Sequence, residues 1–211
     1  MKTDISYARV KTDQQSADSY SNRKSSKHRQ EMTMIADAMA MTETVRTILD
    51  APCGVGRASI WLAQQGYQVA GIDLGDAALA RAAKEAADAG VVVSFEKQDL
   101  FNLSYQDVSF DAALCFRLLH HFESPQLQSR LVHEICRLSG RYVIISTISP
   151  VSITSMRRRI RYWLSAKPIK QYPVSITRLD SMFAVAGFEP HGRVKRSALL
   201  HSLQLHVYRR K

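Results

Sequence analysis

From residue 45 onward, short apolar runs alternate with amphipathic stretches, and each change of period predicts a change of element. Residues 45–51, 67–74, 91–95, 110–116 and 142–147 read as strands. Residues 57–65, 76–89 and 125–138 read as helices, the first two stopped by Gly66 and Gly90 and the third followed by Gly140. Asp76 is placed to cap the second helix. Upstream, 27–41 carries apolar residues at 32, 35, 36 and 39, a helical spacing. Downstream, Ile153, Met156, Ile160, Trp163 and Leu164 share one helical face, while Arg157, Arg158, Arg159 and Arg161 fall mainly elsewhere. A last helix over 176–186 ends at Gly187, and strands follow around Val194 and over 203–208. In that final strand Leu203, Leu205 and Val207 are expected inward, with Gln204, His206 and Tyr208 outward.

Repeated strand–helix units with short turns predict a parallel sheet covered on both faces, whose ligand site lies at the carboxyl ends of the strands. The 211 residues suit one domain over 27–211, preceded by a loose polar arm over 1–26 and interrupted by a basic amphipathic insertion at about 150–170. No run of about 18 apolar residues is present, and the first twenty residues lack the apolar core of a secretory signal. Three cysteines, Cys53, Cys115 and Cys136, cannot all pair and match no zinc spacing, so no metal is expected and a cytoplasmic location is. Charge is unevenly placed. Residues 1–140 carry 15 Lys and Arg against 17 acids, whereas 141–211 carry 14 against only Asp180 and Glu189. The basic third raises the local concentration of anionic partners without naming one.

Chemistry concentrates after the strands. In ILDAPCGVGR (48–57), Gly54 and Gly56 let a backbone approach a ligand closely, while Pro52 removes an N–H and keeps a carbonyl. Asp50, Asp73 and Asp99 each close or follow a strand. A nicotinamide nucleotide is a rival ligand, since Asp73 lies 17 residues after Gly56, but Ser59 stands where a third glycine belongs.

Over 45–148 this pattern resembles the class I S-adenosylmethionine-dependent methyltransferases. Leu49-Asp50-Ala51-Pro52-Cys53-Gly54-Val55-Gly56 is similar to their first motif, with Pro52 at its first glycine; Asp73 resembles the ribose-binding acid, and Asp99 the acid that accepts from the adenine amino group. FDAALCFRLLHHF resembles the fourth-strand motif, and TRLDSMFAVAGFEP, placed before two strands, resembles the last helix with the sixth and seventh strands. The resemblance implies an α/β fold, a doubly wound, mostly parallel seven-stranded sheet with its last strand antiparallel, in three α/β/α layers. It implies S-adenosylmethionine as donor and S-adenosylhomocysteine as product. The cofactor-binding set is then Asp50, Pro52, Cys53, Gly54, Gly56, Asp73, Leu74, Asp99, Leu100 and Phe116, with Arg29 a candidate partner of the methionine carboxylate. His120 and His121 are the catalytic candidates, because imidazole suits proton removal at neutral pH.

The acceptor is read only as a class. The Asn/Asp-Pro-Pro-aromatic motif of amino-methylating DNA enzymes is absent and no RNA-binding module is visible, so nucleic acid is not expected. A small-molecule or lipid-linked acceptor, lipophilic or anionic, fits better. The helix at 150–170 could lie on an anionic inner-membrane surface or serve as a lid. A non-catalytic partner-binding subunit, or a nucleic-acid or protein methyltransferase using the basic third, stands as the alternative.

Overall fold

The computed structural model describes residues 25–149, 171–195 and 203–211, together with Met156. The arm over 1–26, apart from its last two residues, and the basic segment over 150–170, apart from Met156, lie outside the described residues. Seven strands, β1 (Thr47–Asp50), β2 (Gln68–Asp73), β3 (Ser94–Lys97), β4 (Phe110–Cys115), β5 (Ser139–Ile148), β6 (Phe188–Lys195) and β7 (Leu203–Arg210), form one sheet. Their order is β3-β2-β1-β4-β5-β7-β6. Pairings from β3 through to β5 are parallel, and β7 runs antiparallel between β5 and β6. The expected doubly wound sheet with an antiparallel last strand is therefore present. Because β1 pairs with both β2 and β4, the chain reverses its direction of winding there, and a crevice opens beyond the strand ends.

Strand residues alternate between two cores, as the two-residue period requires. Ile48, Ala112, Leu114, Ile144, Leu205 and Val207 face α1 (Ser25–Met39) and α2 (Arg57–Gln64). Leu49, Ala113, Val143, Ile145 and Tyr208 face α4 (Pro125–Leu138) and α5 (Ile176–Val185). The remaining helix, α3 (Asp76–Asp88), packs its alanines Ala78, Ala82 and Ala86 inward beside α2.

Three local expectations change. β3 starts three residues later than expected: Gly90, at φ 68°, closes α3, and the Val91 N–H is used on the Ala86 carbonyl. Asp76 does not cap α3; Gly75 holds that position, and Asp76 pairs with Lys97 at 2.6 Å. In β7, Gln204, His206 and Tyr208 are buried along with Leu205 and Val207. A strand with neighbours on both edges and helices on both faces has no outward side, so alternation misreads it.

Candidate active site

The carboxyl ends of β1, β2 and β4 converge on one cleft, lined among others by Asp50, Pro52, Cys53, Gly54, Asp73 and Phe116. Asp50, the last residue of β1, is 1% exposed. Its Oδ2 accepts from the Ser59 hydroxyl at 2.6 Å, whereas Oδ1 is buried without a protein partner. Burial raises its pKa to about 7, against the opposing pull of the Ser59 hydrogen bonds. Asp73 closes β2 and is fixed from two sides: Oδ2 accepts from the Gly54 N–H and Oδ1 from the Gly75 N–H, each at 2.9 Å. The Ala51–Pro52 peptide is cis, and the Cys53 N–H reaches back to the Ile72 carbonyl at 2.8 Å, tying this loop to β2.

The two glycines have separate duties. Gly54, at φ 57°, lines the cleft and donates to Asp73. Gly56, at φ 75°, does not line it. A Cβ there would meet the Ala82 Cβ at 2.9 Å and the Phe95 ring at 3.0 Å, so its missing side chain admits α3 and β3. The close approach at Gly56 is to the protein's own framework.

On the other wall, Phe116, Arg117 and Leu118 follow β4, and His121 follows them into the cleft. The histidines separate. His120 is 2% exposed, with its carbonyl accepting the Tyr172 N–H, and only His121 lines the cleft. Their rings lie 4.3 Å apart. Asp99, beyond β3, is half-buried and turns its own loop by accepting the Phe101 N–H at 2.9 Å. Leu74 and Leu100 are half-buried beside these acids. Cys53 and Cys115 are buried thiols, and desolvation pushes the Cys53 thiol well above its ordinary range, which disfavours the thiolate. Arg29 is exposed on α1 and is not among the cleft residues.

The cations that do line the cleft, Arg57 and Arg117, and the acid that holds them are not among the residues expected from the motifs. Glu31 of α1, 3% exposed, accepts from Arg57 Nη2 at 3.2 Å and from Arg117 Nη1. One signal was available: Glu31 falls on the same stripe as Ile35 and Ala38, at the i, i+4, i+7 spacing of a buried face.

Residues 48–142 match the family described as a methyltransferase domain. That match runs from β1 into β5 and takes in the cleft-lining residues of both walls. Over 105 residues the domain is 33% identical to the ubiquinone biosynthesis O-methyltransferase of Pseudomonas paraeruginosa, covering 49% of this chain and 45% of that relative. The corresponding protein of Nitrosospira multiformis is 34% identical over the same length, covering 44% of it. The chain thus aligns with less than half the length of these curated relatives. The fold is shared more widely. Magnesium protoporphyrin IX methyltransferase from Synechocystis PCC 6803, solved with bound S-adenosylhomocysteine, superposes with a TM-score of 0.71 at 19% identity, over 94% of this chain and 83% of that one. A Pyrococcus horikoshii protein gives the same TM-score at 20% identity, over 90% and 93%.

Proposed function

We propose that the domain transfers the methyl group of S-adenosylmethionine to an oxygen or nitrogen of a small-molecule or lipid-linked acceptor and releases S-adenosylhomocysteine. The observation that carries this reading is the cleft at the β1–β4 switch, where a buried, orphaned carboxylate oxygen of Asp50 lies beside Gly54, Asp73 and two arginines. These groups fit the cofactor's chemistry: carboxylates for its ammonium and ribose hydroxyls, guanidiniums for its carboxylate. Bound S-adenosylmethionine supplies a methyl group on a sulfonium, activated for in-line displacement with a neutral thioether leaving.

Each residue then has a task. Asp73, held by two main-chain amides, accepts from the ribose hydroxyls, and Asp99 with Leu74 and Leu100 frames the adenine. Asp50 and the Pro52 carbonyl accept from the ammonium group, while Cys53 and Gly54 form the loop beneath it. Arg57 and Arg117 receive the carboxylate in place of Arg29. His121 accepts the acceptor's proton, and His120 packs behind it. Phe116 helps exclude water, which, together with alignment, lowers the barrier by several kcal/mol (about 7 or more for a well-oriented pair). The similarity to O-methyltransferases of ubiquinone biosynthesis supports an oxygen acceptor. The arginine-rich amphipathic sequence of 150–170 supports a lipophilic or anionic one, met at an anionic membrane surface from the cytoplasmic side. Among the described residues, no helix is long and apolar enough to cross a membrane.

Calorimetry with S-adenosylmethionine and S-adenosylhomocysteine tests the donor: both bind, and failure of both overturns the reading. Methyl-tritiated cofactor incubated with a fractionated cell extract tests the acceptor. Label is expected in lipid or small-molecule fractions. Label in RNA or protein overturns the acceptor class, and cofactor binding with no label anywhere favours the non-catalytic subunit. Vesicles with anionic headgroups bind the chain at low salt if the membrane surface is involved.

A further inference from the structure

Arg57 and Arg117 come from opposite walls of the cleft. Arg57 opens α2 directly after Gly56, and Arg117 follows β4 on the side of His121. A third element, α1, bridges them: its Glu31 carboxylate takes one guanidinium on each oxygen, Oε2 for Arg57 and Oε1 for Arg117. Three charged groups meet where little water reaches them, with side-chain exposures of 4% for Glu31, 14% for Arg57 and 18% for Arg117. His28, one turn earlier on α1, approaches Arg57 at 3.5 Å.

Arg117 is also held in an uncommon backbone state. Its φ is 63°, a region that non-glycine residues enter only when surroundings impose it. The Arg117 N–H donates to the buried Ser146 hydroxyl, so β5 fixes the main chain while Glu31 fixes the guanidinium. Met32, the next residue of α1, lines the cleft itself. A helix outside the strand–helix–strand repeat thus sets the spacing and charge of the donor end.

We infer that Glu31 is a positioning residue of the cofactor cleft, and that through it the seating of helix α1 and the binding of the cofactor are coupled. The inference rests on the donor reading above. An ion pair serving stability alone would be replaceable without effect on ligand affinity. A carboxylate that aims two guanidiniums into a binding cleft transmits its loss to the ligand, and binding reciprocally steadies the helix that carries it.

The test uses the full chain with S-adenosylhomocysteine as probe, read by calorimetry and by amide hydrogen exchange over residues 32–39. In the unmodified protein the ligand binds and slows exchange in α1. Glu31→Gln, which keeps shape and removes charge, weakens binding about tenfold, a mid-range coupling. It also erases the ligand-induced slowing, even at saturating ligand. Glu31→Asp recovers part of both. A Glu31→Gln protein that binds equally or more tightly, or that keeps the slowing, overturns the inference and leaves the donor reading intact. Failure of the unmodified protein to bind overturns both. Should Glu31→Gln not fold, Glu31→Asp decides by the same two readouts: a partial loss of affinity and of the slowing is expected, and no loss of either overturns the inference.

Discussion

Two regions of the sheet bury polar side chains of the same types and use them differently. On the β5–β7 side of the sheet, farther from β1, the Tyr208 hydroxyl donates to Asp180 at 2.6 Å, and Thr147 and His206 share a hydrogen bond of 2.8 Å. Phe183 stacks flat on Tyr208 with ring centres 3.6 Å apart. Every group in that set finds its partner inside the protein. At the β1–β4 switch, Asp50 satisfies one oxygen and leaves the other orphaned, and Asp73 is oriented by two amides at the mouth of the cleft. Closed networks hold a fold together, whereas incomplete ones hold capacity for a ligand. Residue type does not separate the two regions; completeness of the hydrogen bonding does.

The contrast breaks most visibly if the far network is emptied. Phe183→Ala leaves a cavity against Tyr208 and Phe188 and should cost about 4 kcal/mol of stability in urea unfolding. At temperatures where the variant remains folded, its affinity for S-adenosylhomocysteine should be unchanged. A loss of affinity would show that the two regions are not independent. Gly56→Ala comes next, at about 3 kcal/mol, from a left-handed backbone and a Cβ pressed on Ala82 and Phe95. Gly54→Ala, on the cleft side, should instead act chiefly on ligand affinity, and reversal of that order would exchange the two glycines' duties.

Acidity sharpens the same comparison. Asp50 has its pKa raised from 3.8 to about 7 by burial, so the folded state binds more protons between those values. That contribution is complete below pH 3.8 and is lost as pH rises through 7. His206 is lowered from 6.5 to about 4, by burial first and by Arg193 next. Its contribution is complete above 6.5 and is lost as pH falls through 4. The two slopes oppose each other, and the unmodified protein should show little net change between pH 5 and 7 from this pair. Asp50→Asn should lose about 2 kcal/mol of stability when taken from pH 7 to 5, and His206→Gln should gain about the same. Parallel slopes in both variants would refute the assignment. The smallest expected effect is on binding: Asp73→Ala weakens S-adenosylhomocysteine about tenfold, the scale of a lost charged hydrogen bond, by calorimetry.

Strand and helix identities around the cleft were legible because their apolar periods are long and their stops are glycines. Residues 125–138 were bounded as the structure has them. The edge strand β3 was misplaced because Val91 reads as strand by composition while its amide serves the α3 cap. The polar face assigned to β7 failed for a different reason: a strand's pattern does not report whether its second face will be covered. In the site, Asp50, Gly54 and Asp73 follow from their spacing after apolar runs. Arg57 and Arg117 were missed because each sits in a motif noted for other residues, and Glu31 because its partners lie 26 and 86 residues away.

Local pattern was enough for the alternating architecture, the acids at the strand ends and the glycine turn between β1 and α2, since each depends on local period and backbone freedom. Long-range packing settles which glycine faces the cleft, which histidine reaches it, and which buried acid is left with an unanswered oxygen. Those outcomes depend on what arrives from distant parts of the chain to fill a hydrogen bond or exclude water, and no local pattern encodes the arrival.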